Sequence, residues 1–244
     1  MSKSLEGRVA VVTGASSGIG AATAERLAAE GARVAAVARR TDRLEALEGV
    51  LPVTADLSDA QDIQRMADTV RTELGRVDLV VANAGSMLGA PYESADVAEW
   101  ERMIDVNYRG LLLTGRAFVD DLLATAADDK PADLIHVGSI GGHEPFVNYG
   151  VYCGTKAAVA HLTRSLRKEL GPRGVRVKNV EPGVVETELG DDQTHQSAID
   201  QLAQMRTQLV PLAPGDIASA IAFAASAPAR MNVAELVVVP TVQG

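Results

Sequence analysis

Tyr152 and Lys156, in the stretch YCGTK, place a phenol and an ammonium four residues apart in a segment that reads as helix. Residues i and i+4 share one helix face, so both groups can serve a single site. A free tyrosine, with a pKa of about 10, is a poor acid and a worse base near neutrality, and a nearby cation favours its ionised form. The pair could therefore move a proton. Taken alone, the same spacing also suits an ordinary amphipathic helix with a half-buried tyrosine and a solvated lysine.

A second chemical signal stands near the start, in TGASSGIG at 13–20. Gly14, Gly18 and Gly20, with Ser16, Ser17 and Ile19 among them, follow an apolar run and precede the helical AATAERLAAEG. Glycines between a strand and a helix allow a tight turn and let backbone N–H groups approach a pyrophosphate at the positive helix end. An ordinary strand-to-helix turn is the plainer alternative. Dinucleotide folds that take NAD put an acid about 20 residues further on, where it holds the ribose 2′-hydroxyl. Here Ala38, Arg39 and Arg40 stand instead. A guanidinium fork suits a 2′-phosphate, which favours NADP(H) over NAD(H). Two solvated arginines paired with Asp42 and Glu45 are the competing reading.

These groups need elements to position them. Short β-branched runs recur as RVAVVT (8–13), RVAAVA (33–38), VLPVTA (50–55), VDLVVA (77–82), DLIHVG (133–138), VRVKNV (175–180) and ELVVVP (235–240). Helical patterns cover 18–30, 59–74, 97–126, 151–170 and 215–226. Continuous apolar strands alternating with helices predict a Rossmann-type doubly wound α/β fold with a seven-stranded parallel sheet covered on both faces. No linker or composition shift marks a boundary, so 1–244 is expected to be a single domain. Polar, acidic 184–211 breaks the rhythm and reads as an inserted substrate lid.

Composition narrows the partners. With 244 residues, 47% of them hydrophobic, the chain can bury a sizeable core. A formal charge of −9 argues against nucleic acid and anionic membrane surfaces, which need a basic face. Cys153 is the single cysteine, so no intramolecular disulfide can form, and a reducing cytoplasm fits. No apolar run reaches the roughly 20 residues of a membrane span, and only MSKSLEG precedes the first strand pattern. His136, His143, His161 and His195 show no ligand spacing, and no metal site is expected.

TGASSGIG, AD at 55–56, NAG at 83–85, Asn107, Ser139, YCGTK and EPGVVET occur in order along the chain. Together they resemble the single-domain branch of the short-chain dehydrogenase/reductase family, over essentially the whole length. The resemblance implies an NADP(H)-dependent carbonyl reductase or alcohol dehydrogenase. It implies Tyr152 as acid/base, Ser139 as a donor to the substrate oxygen, and Lys156 as the group that lowers the Tyr152 pKa and holds the nicotinamide ribose. Asn107 would position a water between Lys156 and solvent. Asp56 and Leu57 would contact adenine, and Asn83, Ala84 and Gly85 the adenosine ribose. Pro182, Gly183, Val185 and Thr187 would border the nicotinamide. Two departures stand out: Ala82 precedes NAG where asparagine is common, and the ending ELVVVPTVQG lacks the usual DGG. That ending is more similar to the NADP-dependent subgroup of 3-hydroxy acid (serine) dehydrogenases and clavulanic aldehyde reductase. Members commonly assemble through the helices equivalent to 97–126 and 151–170, which implies a homotetramer or a homodimer. Trp100 is expected in core or subunit contact.

On this reading substrate lies among Ser86, Met87, Leu88, Ile140, His143, Phe146, Val184 and the lid. Between Glu181 and Met205 stand Glu181, Glu186, Glu188, Asp191, Asp192 and Asp200 with no lysine or arginine. A desolvated anionic substrate needs a cationic partner, so a neutral aldehyde or ketone is expected. The carboxylates also fit a merely solvated lid surface, and Arg206 could turn inward. Two other functions use the same scaffold: an NADP(H)-binding regulatory sensor without turnover, and an isomerase or dehydratase that consumes no coenzyme. Retention of Ser139, Tyr152, Lys156 and Asn107 together speaks against the sensor.

Overall fold

The computed structural model describes residues 4–243. Seven strands form one all-parallel sheet in the order β3-β2-β1-β4-β5-β6-β7. They are β1 (Val9–Thr13), β2 (Arg33–Ala38), β3 (Val50–Thr54), β4 (Leu79–Ala82), β5 (Ala132–Val137), β6 (Val175–Pro182) and β7 (Glu235–Val238). The helices are α1 (Gly18–Ala29), α2 (Thr41–Glu45), α3 (Ala60–Leu74), α4 (Val97–Ile104), α5 (Leu111–Ala127), α6 (Gly150–Leu170), α7 (Gln196–Gln208) and α8 (Pro214–Ser226).

The apolar runs explain the layers. Side chains alternate across a strand, so a run that is apolar throughout can bury both faces. Ala10, Val12, Leu79, Val81 and Ile135 pack against Ala24 and Leu27 of α1 and Ile217 and Ile221 of α8. Their neighbours Val11, Val80, Leu134 and Val177 pack against Met66 and Val70 of α3 and Phe118 and Leu122 of α5. Local signals set the helix starts: Asp59 caps α3 through the Gln61 N–H at 2.8 Å, and Asp96 caps α4 through the Ala98 N–H at 2.9 Å. Strand order reverses between β1 and β4, and the C-terminal strand ends open there into the cleft described below.

Two segments depart from the sequence expectation. The helix expected over 97–126 is interrupted by a π-helical turn at Asp105–Gly110, which widens the coil and turns Asn107 inward. Gly110 sits where an added Cβ would meet the Leu57 carbonyl oxygen at 2.6 Å, so the turn packs directly onto the segment after β3. The segment 184–211, expected as a lid and without a helical pattern in the sequence, is the second. It carries α7, and its base is closed by a bridge between Val185 and Leu212, with Leu212 N–H donating to Val184 O at 3.0 Å and Glu186 N–H to Leu212 O at 2.9 Å. Glu181, counted with the lid acids from the sequence, belongs to β6 and is buried. Among the described residues no helix is long and apolar enough to cross a membrane.

At the N-terminal edge of the sheet, Asp133 of β5 is fully buried and meets three cations: Arg8 at 2.9 Å, Arg176 at 2.7 Å and Lys178 at 3.0 Å. Arg8 also pairs with Asp78. Arg176 reaches on to the carbonyl oxygens of Ala225, Ala227, Pro228 and Met231, tying the end of α8 to the sheet. Replacing Asp133 leaves buried cations uncompensated, which costs much more than the intact cluster contributes. Asp133→Asn should lower unfolding stability by about 3 kcal/mol or more, measured by urea denaturation. A change within experimental error would show that water or backbone carbonyls already compensate Arg176 and Lys178.

Candidate active site

The cleft has a volume of about 670 Å³. Its nucleotide end is built by the turn after β1. Gly14 and Gly18 have φ of +69° and +52°, which a side chain rarely adopts, and a Cβ on Gly20 would lie 2.2 Å from the Gly14 carbonyl oxygen. The turn thus leads straight into α1. No side chain caps the N-terminus of α1 and no acid lies in its first turn, so its positive end is free to take an anion. The switch point is pinned from β4: Asn83 Nδ2 donates to Thr13 O at 2.9 Å, and the Asn83 and Ala84 N–H groups donate to Thr13 Oγ1. Arg39, Arg40, Asp56 and Leu57 line the same end. Arg40 donates to Ser16 Oγ and Ser17 Oγ at 2.9 Å, holding its guanidinium at the lip of the glycine turn. A shape lined by glycines, an uncapped helix end and guanidinium groups fits a dinucleotide with its phosphates along the turn.

At the other end, α6 brings Tyr152 and Lys156 onto one buried face, each 6% exposed. Lys156 Nζ donates to Val137 O, the last carbonyl of β5, at 2.9 Å and lies 5.9 Å from the centre of the Tyr152 ring. Ser139 follows two residues later, its Oγ accepting from the Gly141 N–H at 3.0 Å. Burial pushes the Tyr152 phenol up to about 12, and the neighbouring Ser139 hydroxyl opposes that shift only in part. Burial pushes Lys156 down to about 8. Desolvation thus sets the direction of the Tyr152 shift, while Lys156 Nζ is engaged by the Val137 carbonyl. The Tyr152 phenol is therefore protonated at neutral pH.

Asn107 supports this cluster from the π-helical turn. Its side chain accepts from Ser86 N–H at 2.7 Å and donates to Ser86 O at 2.9 Å and Thr155 Oγ1 at 3.1 Å. Gly85 runs between Asn107 and Lys156, where a Cβ would lie 3.3 Å from Asn107 Oδ1 and 3.8 Å from Lys156 Nζ. Behind Lys156, buried His136 pairs with Thr163 Oγ1 at 2.8 Å, and burial, reinforced by the lysine, pushes its pKa down to about 4. His136 is neutral at physiological pH.

Ser86, Met87, Ile140, Phe146 and Val184 line the cleft, as do Pro182, Gly183, Val185 and Thr187. Two expected residues do not. Leu88 packs inward with Met103 and Tyr149. His143 turns to the buried Glu181, Nε2 to Oε2 at 2.8 Å, away from the cleft. His195 bridges Ser94 and Ser197 at the start of α7. Lining residues that the sequence reading did not place there include Arg102, Tyr149 and Gln243, and Arg206 does turn inward to the cleft. Gln243 Oε1 accepts from Val184 N–H at 3.0 Å, so the ending without DGG returns to the cleft. Arg102 pairs with Asp192 at 2.5 Å. Arg206 pairs with Asp191 at 2.8 Å and donates to the carbonyls of Thr187 and Leu189. Among the described residues no three of His, Cys, Asp and Glu gather as metal ligands do.

Residues 8–198 match the family described as short chain dehydrogenase. An uncharacterized oxidoreductase of Staphylococcus aureus (strain MRSA252) is 35% identical over 242 residues, covering 97% of this chain and 98% of the relative. The closed form of serine dehydrogenase complexed with NADP+ superposes with a TM-score of 0.88 at 30% identity, covering 97% of this chain and 96% of that one. A 3-ketoacyl-(acyl-carrier-protein) reductase from Brucella melitensis complexed with NADH gives 0.85 at 31% identity, with 96% and 98% covered. The match, the fold and the cleft agree, and the chain belongs to the short-chain dehydrogenase family as a pyridine-nucleotide oxidoreductase.

Proposed function

We propose that this protein is an NADP(H)-dependent reductase of small to medium neutral aldehydes or ketones, running in reverse as an alcohol dehydrogenase. The observation that carries the reading is the convergence of buried Tyr152, Lys156 and Ser139 in the same cleft as the glycine turn and Arg40. When bound, the coenzyme supplies or accepts the hydride at the substrate carbon. The chain's own residues manage the proton. Tyr152, kept protonated by burial, gives its proton to the carbonyl oxygen as negative charge develops there. The Ser139 hydroxyl donates to that oxygen, and Lys156 stabilises the phenolate left behind. Asn107 fixes the Ser86 backbone and Thr155 beside Lys156. By this account Gly14, Ser16, Ser17, Gly18, Ile19 and Gly20 hold the pyrophosphate, Asp56 and Leu57 the adenine, and Asn83, Ala84 and Gly85 the adjoining ribose. Pro182, Gly183, Val185 and Thr187 border the nicotinamide, and Lys156 its ribose. Arg39 and Arg40 receive the 2′-phosphate.

Neutral substrates follow from the state of the two guanidinium groups at the substrate end. Arg102 and Arg206 are already matched by Asp192 and Asp191, so a substrate carboxylate would have to break an ion pair to find a partner. We further propose cytoplasmic action as a homotetramer or homodimer through α4 to α6, supported by exposed Val97 and Ile104; a monomer in sedimentation velocity would refute the assembly.

Steady-state oxidation of NADPH and NADH with matched neutral and carboxylated aldehydes tests the function. NADPH and the neutral aldehydes should be preferred, and Tyr152→Phe should lose at least about a hundredfold in kcat. Preference for the carboxylated isosteres would overturn the substrate class, and binding of NADPH without turnover would favour a sensor. The pH profile gives a separate check. Reduction needs protonated Tyr152 and charged Lys156, so kcat/KM should be level below about pH 8 and fall above it as the ammonium is lost. A rate that climbs through pH 8 would mean that the phenolate is the active form.

A further inference from the structure

One carboxylate joins the lid to the nucleotide end of the cleft. Glu188 accepts from Arg40 Nη1 at 3.0 Å and from Arg43 Nη1 at 2.6 Å. Arg40 spends its Nε and Nη2 on Ser16 and Ser17, so Glu188 takes the edge of the guanidinium that the glycine turn leaves over. The backbone that carries Glu188 is held in place. Its neighbour Thr187 lies against Gly18, where a Cβ would meet Thr187 Cγ2 at 2.9 Å, and the Val185–Leu212 bridge closes the lid base just before it. Arg43 and Arg40 hold the carboxyl below its usual range, so it is charged at neutral pH.

We propose that Glu188 is a specificity-determining residue, an internal anion that competes with the 2′-phosphate of NADP(H) for Arg40 and so narrows the preference for NADP(H) over NAD(H). The inference rests on the reading that Arg39 and Arg40 receive that phosphate. Arg40 and Arg43 bring two positive charges and Glu188 removes one. A phosphate monoester carries close to two negative charges near neutrality, so it must either displace Glu188 or lie beside it. Both cost affinity. The 2′-hydroxyl of NAD(H) brings no charge and meets no such opposition. All three side chains are about half exposed, which keeps the effect moderate and sensitive to salt.

The test is coenzyme binding by Glu188→Gln, which preserves shape and removes charge, with Arg40→Ala alongside. NADPH and NADH are titrated by nicotinamide fluorescence, and 2′,5′-ADP and 5′-AMP by calorimetry. Glu188→Gln should bind NADPH and 2′,5′-ADP about fivefold more tightly, leave NADH and 5′-AMP unchanged, and lose its advantage at high salt. Arg40→Ala should weaken NADPH more than NADH. If Arg40→Ala behaves so while Glu188→Gln leaves NADPH unchanged, weakens it, or tightens both coenzymes equally, the role of Glu188 is wrong and the 2′-phosphate reading stands. If Arg40→Ala weakens both coenzymes equally, that reading falls and the competition with it.

Discussion

A lysine ammonium that is almost wholly buried sets the terms for this cleft. Moving a cation out of water costs several kcal/mol unless polar groups replace its hydration. Lys156 finds its replacement in the carbonyl of Val137, which β5 presents at its C-terminal end. That contact joins α6 to the end of β5, beside the His136–Thr163 hydrogen bond and the buried packing of Val159 and Leu170. Tyr152, one helical turn earlier, falls beside Ser139, because only Gly138 separates Ser139 from Val137. A side chain at Gly138 would strike Asn179 at 2.7 Å. Gly85 and Asn107 can approach Lys156 because β4 ends where β1 does and the π-helical turn directs Asn107 inward.

The sheet carries charge at both ends, for different purposes. At the N-terminal edge Asp133 gathers three cations and holds β1, β5, β6 and the end of α8 together. At the C-terminal edge the cations are spread over the cleft, and their partners are hydroxyls or exposed carboxylates. Arg40 rests on two serine hydroxyls and one lid carboxylate, and Arg102 and Arg206 rest on lid aspartates. Buried ion pairs thus hold one edge of the sheet, and exposed ones face the cleft. Lid and nucleotide end are therefore coupled electrostatically through Glu188.

The strands were legible because their apolar runs are local and unbroken; 33–38 was read with its observed bounds. The glycine turn, Ser139 and YCGTK were legible because their chemistry is compact in sequence. What escaped depends on distant partners or weak periodicity. α7 buries only Ala198 and Leu202 and is otherwise rich in glutamine, so it offered little apolar stripe. The π-helical turn looks like continuous helix until Gly110 meets Leu57. His143 could not be assigned to Glu181, nor Arg102 to Asp192, from spacing, since 38 and 90 residues separate the partners. The burial that raises the Tyr152 pKa is likewise a tertiary effect that the YCGTK spacing does not carry.

In the proposed function this cleft exchanges a hydride with a pyridine nucleotide while Tyr152 delivers the proton. The most direct measurement is the fate of deuterium from NADPH labelled at the transferred position on nicotinamide C4, incubated with a neutral aldehyde and followed by mass spectrometry of the alcohol. The account predicts one deuterium on the carbinol carbon with wild type and almost none with Tyr152→Phe at equal NADPH occupancy. Alcohol formed without deuterium, or labelled equally fast by Tyr152→Phe, would contradict it.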